Sequence, residues 1–174
     1  MENIRGFEIM SEVIFNKDNI IKIDNKRIQD LKRKAFRNPS KKIRLCLHQT
    51  IEELLHEMII VHCKNAYIRP HKHIKKSESF HVIEGSFFIV IFDENGRVIE
   101  KTLISREQEG YNFLCRFERN LWHMLIPMSD FIVFHETTKG PYTGIGNSIF
   151  APWAPKVDDS IGVEKFIKNI LDSK

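Results

Sequence analysis

Apolar positions along this chain change their spacing twice. Between Asp24 and Arg37 they recur at three- and four-residue steps (Ile28, Leu31, Ala35, Phe36), which predicts one face of a helix. Asp24 or Asn25 supplies the N-cap, and Asn38-Pro39-Ser40 stops the helix after about Arg37. Upstream lie two short β-like pieces, Val13-Ile14-Phe15 and Ile20-Ile21-Lys22-Ile23. From Ile43 the rhythm becomes that of short strands, near 43–48, 56–63, 79–84, 86–92, 97–104, 111–117, 121–126 and 130–137. Asp93-Glu94-Asn95-Gly96 reads as a hairpin turn between two of them. Beyond Gly140-Pro141-Tyr142 the chain is loop-like through Pro155, with Gly144-Ile145-Gly146 a flexible piece. Val163, Phe166, Ile167 and Ile170 then form the apolar stripe of a terminal helix. Many short antiparallel strands with helices only at the ends predict an all-β-dominated fold, a sandwich or small barrel of jelly-roll type.

A length of 174 residues suits one domain with a well-buried core and is short for two. The expected layout is N-terminal strands and helix over 1–42, barrel and following loop over 43–156, and the terminal helix over 157–174. Thirteen Phe against three Tyr point to an aromatic core. The net charge of +4 is mild but unevenly placed: seven basic residues and no acidic one lie from Lys32 to Arg44. That segment is either a solvated helix face or a rim that attracts an anionic ligand such as a nucleotide diphosphate. No aromatic residues interleave with it in the manner of a nucleic-acid surface, so no nucleic-acid partner is expected. Cys46, Cys63 and Cys115 are odd in number and widely spaced, which favours a reducing compartment over a disulfide framework. The first ten residues carry Glu2 and Glu8 and no continuous apolar stretch, so neither a signal peptide nor a membrane partner is expected, and the location is read as cytoplasmic.

The chemistry concentrates in Arg69-Pro70-His71-Lys72-His73-Ile74-Lys75-Lys76-Ser77-Glu78. Alternate side chains of a strand share a face, so His71 and His73 point the same way, and Glu78 joins them if the chain turns between. Two imidazoles and a carboxylate make a first-row transition-metal site that keeps open positions, equally suited to Fe, Mn, Ni, Co or Zn. The competing reading is three surface groups solvated among Lys72, Lys75 and Lys76. His123, in the apolar run Leu121-Trp122-His123-Met124-Leu125, is either a satisfied core histidine or a fourth ligand. His81 has the opposite strand parity from Glu78 and should face away. His56-Glu57 begins a zinc-protease pattern but lacks its second histidine. His48, His62 and His135 lie on strands and can face either side. No nucleophile elbow or phosphate-binding glycine loop is present.

His71-x-His73, Glu78 and Gly85 at these spacings resemble the first motif of the cupin superfamily. The second motif retains His123 but departs from the pattern at Glu118, Asn120 and Pro127. More narrowly, Tyr67 to His73, Lys76 to Gly85, Phe92 to Gly96, Trp122-His123, Gly140-Pro141-Tyr142 and Phe150 to Pro155 resemble the WbuC family of cupin-fold metalloproteins. Arg44 to His48 adds to that likeness, which covers roughly residues 25 to 156. The resemblance implies a cupin-type double-stranded β-helix, a divalent metal on His71, His73, Glu78 and His123, and a setting in bacterial O-antigen and surface-polysaccharide synthesis. It implies a sugar or nucleotide-sugar ligand, with the metal as Lewis acid in isomerisation or epimerisation. Tyr67, Arg69, Lys76 and His48 are the candidate catalytic or substrate groups. An Fe(II)-dependent oxygenase and a non-catalytic sugar-binding module remain alternatives, and pairing through barrel edges implies a homodimer.

Overall fold

The structure, a computed structural model, describes residues 12–106, 110–144 and 146–173. The readings made on the first ten residues and on Ile145 lie outside them. Strands β1 (Val13–Phe15), β2 (Lys42–Cys46), β3 (Leu55–Cys63), β5 (Glu78–Glu84), β8 (Leu114–Phe117) and β10 (Phe131–Lys139) form one sheet, in the order β1-β2-β3-β10-β5-β8. Strands β4 (His71–Lys72), β6 (Ser86–Phe92), β7 (Val98–Ser105), β9 (Trp122–Pro127) and β11 (Ile149–Phe150) form the other, in the order β11-β4-β9-β6-β7. From β3 onward the chain alternates between the sheets, except at the β6–β7 hairpin, giving the all-β jelly roll expected.

Helix α1 (Asn25–Arg37) covers the outside of the first sheet, and α2 (Ser160–Asp172) covers the outside of the second. This layering explains why several strands are apolar on both faces. On β3, Met58 and Ile60 face the space between the sheets, whereas Ile59 and Val61 pack beneath Ile28, Leu31 and Ala35 of α1. Between the sheets, Phe80, Phe87, Phe134, Ile89 and Ile132 fill one end of the sandwich. On the far side, Val163, Phe166, Ile167 and Ile170 of α2 close over Val90, Phe92, Trp122 and Met124.

The turns follow local chemistry. Asp24 caps α1, accepting from the Arg27 N–H at 2.8 Å, and the Asn38 N–H ends it on the Lys34 and Ala35 carbonyls. The β5–β6 turn requires Gly85: its φ is +78°, and an added Cβ would lie 2.4 Å from the Phe131 carbonyl oxygen. In the β6–β7 hairpin, Asp93 accepts from the N–H groups of Asn95 and Arg97.

Three readings need correction. Phe36 does not share the buried face of α1; it is 62% exposed, one position past the Ile28–Leu31–Ala35 line, with the Lys41 ammonium 4.8 Å from its ring centre. Ile20 to Ile23 form no strand, because β1 pairs with β2 only over Val13–Phe15; Ile21 and Ile23 instead pack against the cluster under α1. The stretch read as loop through Pro155 contains β11, which pairs with β4, so His71 lies on a short strand of its own.

Candidate metal centre

Strand parity builds the cluster. On and just after β4, His71 and His73 turn inward, while Lys72 between them turns outward to Glu94 (2.9 Å) and lies 4.4 Å from the Trp122 ring centre. β9 brings His123 directly opposite His71. From the other sheet, Glu78 opens β5 and is buried, with Thr138 donating to the Ser77 carbonyl at 2.9 Å to hold that strand end. One donor atom from each of His71, His73, Glu78 and His123 can be chosen so that all lie within 4.8 Å of one another.

The hydrogen bonds behind the rings fix which nitrogen faces inward. His71 Nδ1 donates to the Arg69 carbonyl (2.9 Å), His73 Nδ1 to the Asn147 carbonyl (2.6 Å) and His123 Nδ1 to the Leu121 carbonyl (2.9 Å). A carbonyl only accepts, so each Nδ1 carries the proton and each neutral ring offers its Nε2 lone pair to the centre. There, His73 Nε2 lies 2.9 Å from Glu78 Oε1 and His123 Nε2 lies 3.2 Å from Glu78 Oε2. Lone pair faces lone pair unless a cation intervenes, either a proton on the ring or a metal ion. Two donors at right angles, each about 2.1 Å from one ion, stand about 3 Å apart, so these separations suit a shared ion. The residues therefore fit a divalent transition metal and can hold one.

Electrostatics agree with that assignment. Burial pushes His71 down to about 3, helped by neighbouring His123, so its ring stays neutral over the physiological range. Burial opposes ionisation of Glu78, but a cation between its oxygens and the His123 and His73 rings, whether a proton carried on the ring or a metal ion, outweighs it and holds the carboxyl well below its usual range. Lys76 adds a cation 3.5 Å from Glu78 Oε1.

The cluster opens on a cavity of about 760 Å³ between the sheets. Arg69 and Lys76 line it. Tyr67 does not: its hydroxyl donates to the Pro155 carbonyl at 3.0 Å within the apolar layer under α2. His48 stands one ring behind the wall, stacked at 4.0 Å on His56, which does line the cavity. His62 faces the cavity, whereas His81 and His135 pair on the opposite face of their strands. The basic segment divides. Lys32 pairs with Glu84 and Lys34 with Asp30 on α1, while Lys42 and Arg44 of β2 face the cavity.

Sequence reasoning missed Glu136. It lies on β10, one step along from Thr138, the cross-strand partner of Glu78, on the same inward face as Phe134. Among the described residues its side chain has no hydrogen bond or ion pair. Burial, then repulsion from Glu78, raises its carboxyl to about 7. Parity gave no warning, because β10 begins Phe131-Ile132-Val133-Phe134, apolar on both faces.

A family model described as a domain of unknown function, DUF6016, matches residues 23–104, a stretch that holds His71, His73 and Glu78 but stops short of His123. No curated protein matches the chain. Among solved structures, the capsular polysaccharide assembling protein CapF from Staphylococcus aureus matches with a TM-score of 0.52 and 15% identity, over 62% of this chain and 29% of CapF. KdgF from Halomonas sp. matches at 0.47 and 16% identity, over 62% and 84% of the two chains. Oxalate decarboxylase from Bacillus subtilis matches at 0.48 and 19%, over 63% and 27%. The chain thus spans less than a third of the length of CapF and of the decarboxylase. Topology and the CapF likeness together give the fold: an all-β jelly roll that resembles cupin folds.

Proposed function

We propose that this chain is a metal-dependent cupin acting on a sugar or nucleotide-sugar, by isomerisation or epimerisation, with His71, His73, Glu78 and His123 as the metal ligands. The observation that carries the reading is the set of three imidazoles pinned through Nδ1 with their lone pairs turned on Glu78, beside a second carboxylate, Glu136, that forms no hydrogen bond or ion pair among the described residues. A bound divalent metal supplies a Lewis acid that polarises sugar oxygens and stabilises negative charge on them.

The protein's own groups supply the rest. Isomerisation or epimerisation takes a proton from one carbon and returns it to a neighbour or to the other face, with no net change. Glu136, raised to about 7, exchanges a proton readily at neutral pH and is assigned that part. Lys76 and Arg69 line the same space and orient ligand oxygens. Arg69 is held for this by its Nη2, which donates to the Ala151 carbonyl at 2.9 Å.

The wider setting belongs to the same proposal: a WbuC-like protein of surface-polysaccharide (O-antigen) synthesis, cytoplasmic and homodimeric. The motifs around His71 and Glu78 support it, as does the likeness to a capsular polysaccharide assembling protein. All three cysteines are free, which suits a reducing compartment. No helix among the described residues is long and apolar enough to cross a membrane.

The test is metal analysis of natively expressed protein and of His71→Ala, followed by incubation of protein loaded with each divalent metal with a panel of nucleotide sugars. Bound metal lost in the variant, with metal-dependent conversion of one sugar, is the expected result. Full metal in His71→Ala removes the site; no binding or conversion removes the reaction. Substrate-dependent oxygen uptake replaces the isomerase with an oxygenase.

A further inference from the structure

The inner wall of the cavity carries positive charge that the metal centre does not use. On β2, Ile43 and Leu45 are buried beneath α1, so the alternating Lys42 and Arg44 take the opposite face, toward the cavity. β2 lies three strands from β5 in the sheet, well away from Glu78. Among the described residues neither Lys42 nor Arg44 forms an ion pair within 4 Å. Glu12 and Glu136 act on them only at longer range.

Beside them stands His62, the cross-strand partner of Lys42. Its side chain is buried, at 8% exposure, and lines the cavity, yet among the described residues its Nδ1 has no hydrogen-bond partner. Arg69, which lines the same cavity from the other side, adds a second buried atom without a partner among the described residues, its Nε. Buried polar atoms without partners are uncommon in native proteins and cost free energy, so a ligand that satisfies them gains what the fold forgoes. Four cations (Lys42, Arg44, Arg69, Lys76) share this space with two carboxylates, Glu78 and Glu136. A divalent metal would make the balance more positive still.

We propose that Lys42, Arg44 and His62, with Arg69 across the cavity, form an anion subsite that takes a phosphoryl or diphosphoryl group of an extended ligand whose other end reaches the metal cluster. The subsite narrows the ligand class for the cavity assigned above and so rests on that reading for its role. Its binding chemistry is independent of the metal.

The experiment uses the full chain stripped of metal with EDTA and titrated calorimetrically with inorganic pyrophosphate. One site per chain is expected, weakened at least tenfold in Lys42→Gln/Arg44→Gln and unchanged in His71→Ala. Because Arg44 is exposed, Arg44→Gln alone serves if the double variant does not fold, and Arg44→Lys should restore most of the binding. Absent binding, or equal binding by wild type and the charge-removed variants, overturns the subsite. Acetate binding as tightly as pyrophosphate overturns its phosphoryl character. Loss of metal binding in His71→Ala with pyrophosphate binding kept sustains both readings; metal retained in His71→Ala with pyrophosphate binding kept overturns the metal site alone, and metal lost in His71→Ala with no pyrophosphate binding by wild type overturns the subsite alone.

Discussion

The space between the two sheets has a dry end and a wet end, and the same strands serve both. On β5, Glu78 belongs to the His/Glu cluster, while Phe80 and Val82, two and four residues on, belong to the core. On β10 the order reverses: Phe134 is core, Glu136 faces the cavity, and Thr138 braces the end of β5. A step of two residues along one strand face therefore crosses from packing to chemistry. The dry end is held by shape, since aromatic rings such as Phe80, Phe87 and Phe134 sit 5.4 to 5.5 Å apart with no polar atoms to satisfy. The wet end is held by direction, through hydrogen bonds from ring nitrogens to backbone carbonyls. Stability should depend on the first and ligand affinity on the second.

The largest expected effect tests the dry end. Phe87 is fully buried, and Phe87→Ala should cost about 3–5 kcal/mol in urea unfolding. Its metal stoichiometry while folded should match wild type; a joint loss of metal would show that the two ends are one unit.

At the wet end, His71→Ala should weaken metal binding by at least about 100-fold, roughly 2.7 kcal/mol, while metal-free stability changes by less than that. Competition with a chelator of known affinity gives the first number and denaturant unfolding the second. A variant that loses stability but keeps its metal would reverse the assignment of the two ends.

Glu136 sharpens the contrast, because it lies at the border. Its folded carboxyl titrates near 7 against an ordinary 4.5, so between those values the folded chain holds more protons than the unfolded one, and stability falls as pH rises. Glu136→Gln removes that loss. Metal-free Glu136→Gln should be about 1–3 kcal/mol more stable than wild type at pH 8, with the gain shrinking toward zero at pH 5. A gain of equal size at both pH values would mean that repulsion and burial of the charge are not its source.

The smallest effect is expected outside the sandwich. Phe36, largely exposed at the end of α1, should tolerate Phe36→Ala within about 0.5 kcal/mol by thermal unfolding. A larger loss would mean that the helix face counted from the sequence, with Phe36 inside it, was right.

The sequence by itself determined what depends on near neighbours. Period-two runs located the long strands, Asp24 and Asn38-Pro39 bounded α1, and the alternation of His71, Lys72 and His73 set two imidazoles on one face. These rest on backbone geometry over a few residues, which sequence spacing reports directly. Strands β4 and β11, two residues each, are too short to leave a periodic trace, and only their pairing with each other across 77 to 79 positions, and that of β4 with β9, makes them strands.

Tertiary structure decided which faces meet. His123 joins the His/Glu cluster through its register opposite His71, not through anything in Leu121 to Leu125. Tyr67, of the same parity as His71 and His73, is drawn into the layer under α2 instead, while Arg69, of that parity too, lines the cavity. Lys42, Arg44 and Glu136 face the cavity because α1 covers the outer side of their sheet and takes the alternate positions Ile43, Leu45 and Val133. Where both faces are buried, alternation no longer distinguishes inside from outside, and the choice passes to the register between strands far apart in the chain.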